Sequence, residues 1–426
     1  MYSGCCLTSV KERYLKILHL NYSDNSGGAA KAAYRIHRSL LKAGHESKLW
    51  VNRSELSDPS VYSPEGYFHN LKTRARSELS RLLCRKQIKE TGVFHSLSLF
   101  PSAWPKLIND SDADIVHLHW VNAEMLSIKD VSKIKKPIVW TLHDMWAISG
   151  AEHLSYENKW RDGYKSSRTR IFQMDWNRSV WKRKKRHWQK PLNIVTPSRW
   201  LGDCVAESPL MIGWPREVIP NCLDTELWKP YDKKSARKLL KLPEDTPLLC
   251  FGSFGENNAF HKGYDLMSEA LEKLECNIPG LEIVVFGASG ADDKFGKNIR
   301  RHHLGLLSDE TLMRAVYNAC DLVIVPSRNE SFGQVASEGM ACGTPVVCFN
   351  VCGLKDIVDH KVNGYLANGF DTSDLARGIS WVLNHKDPSS LSFAARRKIE
   401  KMFSEAIVSD QYLRTYKRAI AAASPN

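Results

Sequence analysis

The amino-acid sequence predicts an α/β fold with two doubly wound parallel-sheet domains. A chain of 426 residues is longer than one ordinary hydrophobic core supports, so we expect two domains. Short apolar runs alternate with helical stripes, which is typical of parallel sheets with helices on both faces. The alternation occurs twice, before and after a turn-rich stretch at 219–230. Such sheets bind ligands at the carboxyl ends of their strands, so the predicted site is the cleft between the domains.

The composition is that of a globular chain, with 43% hydrophobic and 25% charged residues. No apolar run approaches the roughly eighteen residues that a membrane-spanning helix needs. The first residues show no basic segment followed by an apolar one, so no secretory signal is predicted. The 11 cysteines are then expected to be reduced and mostly buried, in a cytoplasmic protein.

In the first half, short β-branched apolar runs predict buried parallel strands at 15–20, 47–51, 115–119, 138–143 and 193–196. A helix is expected between the first two strands, because apolar residues recur there at spacings of three and four from Ala29 to Ala43. Gly44 follows this stripe and marks the predicted end of the helix. These elements predict a first domain over 1–215.

The second half repeats the pattern. Apolar runs predict strands at 248–252, 281–287, 322–325 and 346–349, and helical spacing predicts helices at 265–274, 309–319 and 332–341. These elements predict a second domain over 216–404. The last residues, 405–426, are expected to form a helix that packs back on the first domain.

The segment 326–347 combines a strand end, a loop, a helix and a glycine stop, and it carries two glutamates. Glu330 lies in the loop, and Glu338 lies about 7–8 Å along the axis of a helix that starts near Gly333. A carboxylate accepts two hydrogen bonds side by side, which suits the paired hydroxyls of a sugar. The free N–H groups of the first helical turn form an anion site. Two surface glutamates flanking a helix start are the alternative interpretation.

Two further motifs follow the first strand of each half. Lys262 precedes Gly263 in the second half, where its ammonium could stabilise the charge of a phosphate, unless it is a solvated loop lysine. Gly27 and Gly28 open a helix in the first half and let the backbone approach an anion closely, unless they form a plain turn. The pair lacks the full G-x-G-x-x-G fingerprint, which argues against a nicotinamide cofactor.

Polar side chains also end two strands of the first half. His143 lies at the carboxyl end of the run 138–143, where it is expected to face the cleft. The alternative is a structural histidine whose hydrogen bonds are satisfied in the core. His119 and Trp120 end another predicted strand and are weaker candidates to line the same cleft.

The glutamate-bearing segment resembles the donor-binding signature of glycosyltransferase family 4, whose members are retaining enzymes with the GT-B fold. The resemblance implies that Glu330 contacts the transferred sugar and that Glu338 contacts the ribose. It also implies that the backbone around Ser331, Phe332 and Gly333 holds the sugar and the diphosphate.

The other motifs resemble the same family. The resemblance implies that Lys262 grips the diphosphate and that Gly27 and Gly28 contact the diphosphate or the acceptor from the opposite wall. It implies that His143 contacts the donor sugar or the reacting centre. Lys262, Glu330 and His143 are therefore the predicted catalytic residues.

One position departs from the family pattern. Ser253 stands where the family usually has an arginine that grips the diphosphate. The grip on the diphosphate is then expected to depend on Asn257, Asn258 or His261 as well as on the lysine.

The implied activity is transfer of a sugar, with retention, from a nucleotide-diphosphate sugar to a glycan or polyprenyl-linked acceptor. The domain 216–404 would bind a UDP- or GDP-linked donor, with base recognition near Gly287 and 304–307, and the domain 1–215 would bind the acceptor. The stretch 141–146 looks more narrowly like bacterial transferases of colanic acid and O-antigen assembly, which implies a role in surface polysaccharide biosynthesis.

No metal and no cofactor besides the nucleotide sugar are predicted. Asp112 and Asp114 resemble a metal-binding pair but precede their strand, so they are expected to face away from the cleft. Cys348 and Cys352 lack a second ligand pair at zinc spacing. Two alternatives remain: another GT-B enzyme, such as a nucleotide-sugar epimerase or a glycan phosphorylase, and a nucleic-acid-binding protein suggested by the positive charge. The sequence contains no recognised nucleic-acid-binding module, so we expect no nucleic-acid partner.

The net charge of +13 is concentrated in the first 200 residues. Two stretches, 71–90 and 181–188, are strongly basic and contain apolar side chains. Such stretches are either solvated helix faces or sites that dock on anionic lipid. Because acceptors of these transferases are often membrane-linked, the pattern favours peripheral contact with the inner face of the cell membrane.

Overall fold

The computed structural model describes residues 14–64, 67–165, 175–252, 260–274, 278–287, 299–307 and 309–424. Within these residues, two parallel sheets form the centres of two domains. The central strands of each sheet are the apolar runs that the sequence predicts, and they are buried along almost their whole length. Continuous runs of Val, Ile and Leu favour strands that are covered on both faces.

The first domain contains, in chain order, β1 (Lys16–Ser23), α1 (Gly28–Lys42), β2 (Glu46–Arg53), β3 (Val61–Tyr62), α2 (Tyr67–Thr91), α3 (Trp104–Asp110), β4 (Ile115–Leu118), α4 (Ile128–Val131), β5 (Ile138–Thr141), α5 (Trp176–His187), β6 (Asn193–Thr196), α6 (Arg199–Glu207) and β7 (Arg216–Val218). Among the described residues its sheet has seven strands, in the order β3-β2-β1-β4-β5-β6-β7.

The second domain contains α7 (Lys233–Leu239), β8 (Leu248–Gly252), α8 (Tyr264–Glu272), β9 (Glu282–Phe286), β10 (Arg300–His303), α9 (Glu310–Ala319), β11 (Leu322–Val325), α10 (Gln334–Ala341), β12 (Val346–Phe349), α11 (Leu354–Ile357), β13 (Gly364–Ala367), α12 (Thr372–Leu383) and α13 (Pro388–Met402). In the described part of the chain its sheet has six strands, in the order β10-β9-β8-β11-β12-β13.

The junction between the domains lies slightly later than predicted. β7 pairs in parallel with β6, with Ile194 opposite Arg216, so it is the last strand of the first sheet. The boundary predicted at 215/216 assigned these residues to the second domain. The segment between β7 and α7 is the turn-rich stretch that the sequence indicates as the connection.

The chain ends in a helix that lies on the first domain. α14 (Glu405–Ala423) buries Val408, Tyr412 and Tyr416 in the same cluster as Ile17 and Ile115 of β1 and β4. Because these tyrosines are completely buried, the helix is part of the core of the first domain and not an appendage.

The basic stretch 181–188 is not the exposed patch that the sequence suggests. Trp181 and Lys184 of α5 and Trp188, which follows the helix, are buried. The Lys184 ammonium donates to the carbonyl oxygens of Ser149, at 3.1 Å, and of Gly150, at 2.7 Å. Helical periodicity turns these three side chains inward, so only part of the stretch faces solvent.

The cysteines that the structure describes are free thiols, and all of them except Cys352 are buried. Burial raises the pKa of the Cys222 thiol to about 12, so this group stays protonated and apolar near neutral pH. In the described ranges, no helix combines the length and the apolar character needed to cross a bilayer.

Candidate active site

A cavity of about 300 Å³ lies between the two domains. Its walls follow the carboxyl ends of β1 and β5 on one side and of β8, β9 and β11 on the other. Nine residues that the sequence assigns to the site line it: Gly27, Gly28, His143, Lys262, Glu330, Ser331, Phe332, Gly333 and Glu338. The volume is at the lower end of the range of small-molecule sites, roughly 300–1,000 Å³.

Two helix N-termini meet at this cavity. α10 is capped by Gly333, whose φ of 115° is a left-handed conformation, and a Cβ there would lie 2.7 Å from the Leu354 side chain. α1 is capped by Gly27, with φ of 88°. In neither helix does a side chain of the described residues cap the first N–H groups, so these donors remain available to an anion. The Gln334 amide donates to the Gly28 carbonyl at 2.6 Å and ties the two ends together.

Glu330 and Lys262 form an ion pair in the wall of the cavity. Lys262 Nζ lies 2.6 Å from Glu330 Oε1, and the Ser327 hydroxyl donates to the same oxygen at 3.1 Å. Burial alone would raise the pKa of Glu330, but the neighbouring ammonium and the hydroxyl outweigh it and hold this pKa below its usual value. A ligand that contacts both side chains must therefore accept a hydrogen bond from the ammonium and donate one to the carboxylate, as a group with an anionic oxygen close to a hydroxyl does.

Glu338 lies deeper and is bound by a residue of the other domain. Its side chain is 2% exposed, and its Oε1 lies 2.8 Å from Arg35 Nη2, which comes from α1. The Tyr317 hydroxyl donates to Glu338 Oε2 at 2.9 Å, and Arg35 also pairs with Glu310 at 2.7 Å. Burial would lower the pKa of Arg35, but the attraction of the two carboxylates outweighs burial and raises this pKa above its usual value. The guanidinium therefore stays charged. No motif in the sequence distinguishes Arg35, because its contact with Glu338 exists only where the second domain packs against α1.

His143 lies in the wall that the first domain contributes, and a buried histidine contacts its ring on the side away from the cavity. Its Nε2 lies 3.1 Å from Nδ1 of the buried His119. Burial lowers the pKa of His143 to about 4, against the attraction of Asp144, so the ring is neutral at pH 7. His119 therefore does not line the cavity as the sequence suggested, but contacts a residue that does.

A polar cluster adjoins His143, and its member His153 is the residue that the sequence did not indicate. Asp144 lines the cavity and accepts hydrogen bonds at Oδ2 from Trp120 Nε1, at 2.8 Å, and His153 Nδ1, at 2.6 Å. His153 lies within the long connection between β5 and α5. The chain between Asp144 and His153 has no regular secondary structure, so the sequence pattern gives no indication that the two side chains meet.

Other predicted and unpredicted residues complete the walls. Gly287, Leu306 and Leu307 line the cavity where base recognition is expected. Asn221 and Asn329 also line it, and their buried amide oxygens have no partner among the described residues. Such oxygens are suited to accept from a ligand.

Some predicted positions lie elsewhere or outside the described residues. Asp112 pairs with Lys16 Nζ at 2.6 Å, and Asp114 accepts from the Lys16 backbone at 2.9 Å, at the amino ends of β1 and β4 and thus away from the cavity. Ser253, Asn257 and Asn258 lie outside the described residues. His261 lines the cavity beside Lys262.

One group of residues in the described ranges has the composition of a metal site. His19, His117 and His119 each offer a nitrogen within 4.8 Å of the others. His117 already bonds Thr141 Oγ1 and the Tyr416 hydroxyl, both at 2.7 Å. His119 bonds two other histidines, so a metal would have to displace existing hydrogen bonds.

The two sheets, the cleft between them and the site at the strand ends define the GT-B fold. Residues 26–227 match the family described as Glycosyltransferase Family 4, and residues 232–400 match Glycosyl transferases group 1. The chain therefore carries these two glycosyltransferase domains, one after the other.

Related proteins and structures agree with this assignment. A D-inositol 3-phosphate glycosyltransferase from Mycolicibacterium smegmatis is 36% identical over 217 residues, covering 48% of each chain. The enzyme of that name from Geodermatophilus obscurus is 35% identical over 195 residues, covering 42% of each chain. The chain thus spans about half the length of these curated relatives, or less.

Solved structures with low sequence identity show the same fold. Anabaena Alr3699/HepE in complex with UDP and glucose matches with a TM-score of 0.65 at 17% identity, over 95% of this chain and 100% of that one. WaaG, a glycosyltransferase involved in lipopolysaccharide biosynthesis, matches with a TM-score of 0.61 at 14% identity, over 96% and 100%.

Proposed function

We propose that this protein transfers a sugar from a nucleotide-diphosphate sugar to an acceptor hydroxyl. The observation that carries the proposal is the meeting of the Lys262–Glu330 pair with the N-terminus of α10 in one inter-domain cavity. The helix end and the ammonium supply positive charge where a diphosphate would leave, and Glu330 supplies an acceptor for sugar hydroxyls. We infer that no cofactor besides the nucleotide sugar takes part.

The acceptor hydroxyl would attack the anomeric carbon while the bond to the diphosphate opens. Charge that develops on the leaving diphosphate would be met by Lys262, by the α10 N-terminus and by the Gly27–Gly28 end of α1. Glu338 would bind the ribose. We infer retention of configuration and a UDP- or GDP-linked hexose donor from the family resemblance of these motifs.

We infer that the acceptor is a glycan or a polyprenyl-linked oligosaccharide of a bacterial surface polysaccharide, such as O-antigen, colanic acid or capsule. The stretch 141–146, which carries His143 and Asp144, supports this inference through its resemblance to such transferases. A phosphorylated cyclitol is a second candidate acceptor, because relatives are named D-inositol 3-phosphate glycosyltransferases. Lys31, which lines the cavity on the first-domain side, would be available to an acceptor phosphate.

We further infer that the enzyme works at the cytoplasmic face of the membrane, docked through α2. This helix exposes Leu79, Leu82 and Leu83 beside Arg81 and Arg85. Exposed leucines among basic side chains suit the interface of an anionic bilayer.

A donor screen followed by product analysis tests the proposed activity. We expect UDP or GDP, and one of their sugars, to raise the thermal unfolding midpoint of the wild-type protein and not that of Lys262→Ala. Incubation with that donor and either acceptor class should give a glycoside whose anomeric configuration NMR reports. Sugar conversion without an acceptor would indicate an epimerase instead. Failure of every nucleotide and nucleotide sugar to bind would contradict the proposal.

A further inference from the structure

Three histidines form a row from the core of the first domain to the cavity. The rings of His19 on β1 and His119 just after β4 are nearly parallel, with centroids 5.3 Å apart and an interplanar angle of 18°. The rings of His119 and His143 are also nearly parallel, at 5.3 Å and 22°. The row has this form because these residues lie on one face of neighbouring parallel strands.

The rings are joined by hydrogen bonds at both nitrogens of the middle residue. His19 Nδ1 lies 3.0 Å from His119 Nε2, and His119 Nδ1 lies 3.1 Å from His143 Nε2. Burial lowers the pKa of all three rings far enough to keep them neutral at pH 7. A neutral imidazole has one N–H and one lone pair, so every link must donate in the same direction along the row.

The buried end of the row decides that direction. His19 Nε2 is buried and has no hydrogen-bond partner among the described residues. If His143 donated toward the core, this atom would carry an N–H without an acceptor. If His19 instead donates from Nδ1 toward the cavity, its Nε2 carries only an unused lone pair. Buried N–H groups without an acceptor are the rarer defect in folded proteins, which favours donation toward the cavity.

We propose that His19 and His119 are positioning residues that fix His143 in the tautomer with its proton on Nδ1. His143 Nε2 then accepts from His119, and Nδ1 presents a hydrogen-bond donor at the cavity wall. Such a donor selects an oxygen with a free lone pair, such as a sugar hydroxyl or a phosphate oxygen. This assignment of a ligand atom rests on the proposed function, whereas the tautomer itself does not.

The cluster contains a matched control. His37 is also a buried imidazole, with its ring centroid 5.8 Å from that of His19. Its nitrogens bond Ser47 Oγ at 2.7 Å and Ser60 Oγ at 2.9 Å, so it lies outside the row. Replacing it disturbs the same core without breaking the chain of donors.

The test is a two-bond ¹H–¹⁵N spectrum of the full-length protein at pH 7, labelled with ¹⁵N-histidine and without donor or acceptor. His143 is assigned from the signals that His143→Gln removes. We expect its Nδ1 to be protonated in the wild type, in His37→Gln and in His19→Asn, whose amide can still donate to His119. His19→Leu removes that donor, so the His143 signals should shift toward a mixture of the two tautomers.

Kinetics provide the second measurement. We expect His19→Leu to lower kcat/KM for the donor about tenfold, the value of one hydrogen bond of about 1.4 kcal/mol. His19→Asn should restore most of the loss, and His37→Gln should stay near the wild type. A purely structural role would instead lower activity equally in His19→Leu and in His37→Gln, in step with thermal stability, and would overturn the proposal.

Two further outcomes would also overturn it. One is a wild-type His143 protonated on Nε2. The other is a stoichiometric metal bound to His19, His117 and His119, detected by elemental analysis and removed by chelation. Because the tautomer is read without substrate, absence of any transfer activity would refute the proposed function and leave this assignment standing.

Discussion

At the scale of single residues, the candidate site is controlled by how its charges are paired. Glu330 is held by Lys262 within its own domain, whereas Glu338 is held by Arg35 from the other one. A donor diphosphate would compete with Glu330 for the ammonium of Lys262. Its ribose would approach a carboxylate that is already hydrogen-bonded at both oxygens.

Glu330→Gln and Lys262→Ala are each expected to lower turnover at least tenfold, or about 1.4 kcal/mol in the activation barrier. In the proposed complex, the first change would remove the negative charge beside the sugar, and the second would remove the positive charge beside the diphosphate. Steady-state assays with saturating donor measure the effect. Lys273→Ala, which removes a lysine outside the cavity wall that pairs with Glu269, is the control and should leave turnover unchanged. Near-normal turnover in both site variants would refute their assigned roles.

At the scale of elements, the position of a strand within its sheet determined whether the strand could be predicted from the sequence. The strands it predicted occupy the inner positions of both sheets, while β3, β7, β10 and β13 are the edge strands. The residues of β3, β7 and β10 are exposed or half-buried, so they form no apolar run, whereas β13 is mostly buried but spans only four residues and begins with a glycine. A strand is recognised in the sequence by the apolar residues that its buried faces require. An exposed edge strand buries too few residues to show that pattern.

For the helix α2, the sequence indicated the basic residues but did not indicate which side of the helix faces solvent. If this face docks on a membrane, Leu79→Ser and Leu82→Ser should each weaken binding to anionic vesicles roughly tenfold, since a buried Leu contributes about 1.5–3 kcal/mol. Cosedimentation at low and high salt measures this, and high salt should release the protein.

Leu239→Ser is the matched control for the α2 variants, because Leu239 is an exposed leucine of the second domain. It should bind vesicles like the wild type. A wild-type protein that stays in the supernatant at low salt would remove the docking proposal.

At the scale of the whole molecule, the domains are joined across the cleft by two kinds of ion pair. Arg35 is 9% exposed, contacts Glu338 and Glu310, and lies 5.2 Å from the Trp228 ring. Arg199 is 74% exposed and pairs with Asp356 at 2.7 Å. Both partners of the Arg35–Glu338 pair are desolvated, whereas the guanidinium of Arg199 is exposed to water, so the two contacts should contribute differently to stability.

Arg35→Ala is expected to lower the free energy of unfolding by about 3 kcal/mol, because it leaves the carboxylate of Glu338 buried without its cation. Arg199→Ala, the matched surface change, should cost about 1 kcal/mol or less. Urea unfolding followed by tryptophan fluorescence compares the two. Equal, small effects would show that the Arg35 contact contributes little to joining the domains.

The sequence by itself determined the two-domain α/β architecture, the inner strands and nine of the residues that line the cavity. It could do so because inner strands are continuous apolar runs and because loops after parallel strands converge on one edge of a sheet. Only the tertiary structure decided that Arg35 reaches Glu338, that His119 lies behind His143 and that Lys184 is buried. These contacts join residues from separate elements or from different domains, and their partners are set by how those elements pack, which no local pattern of residues records.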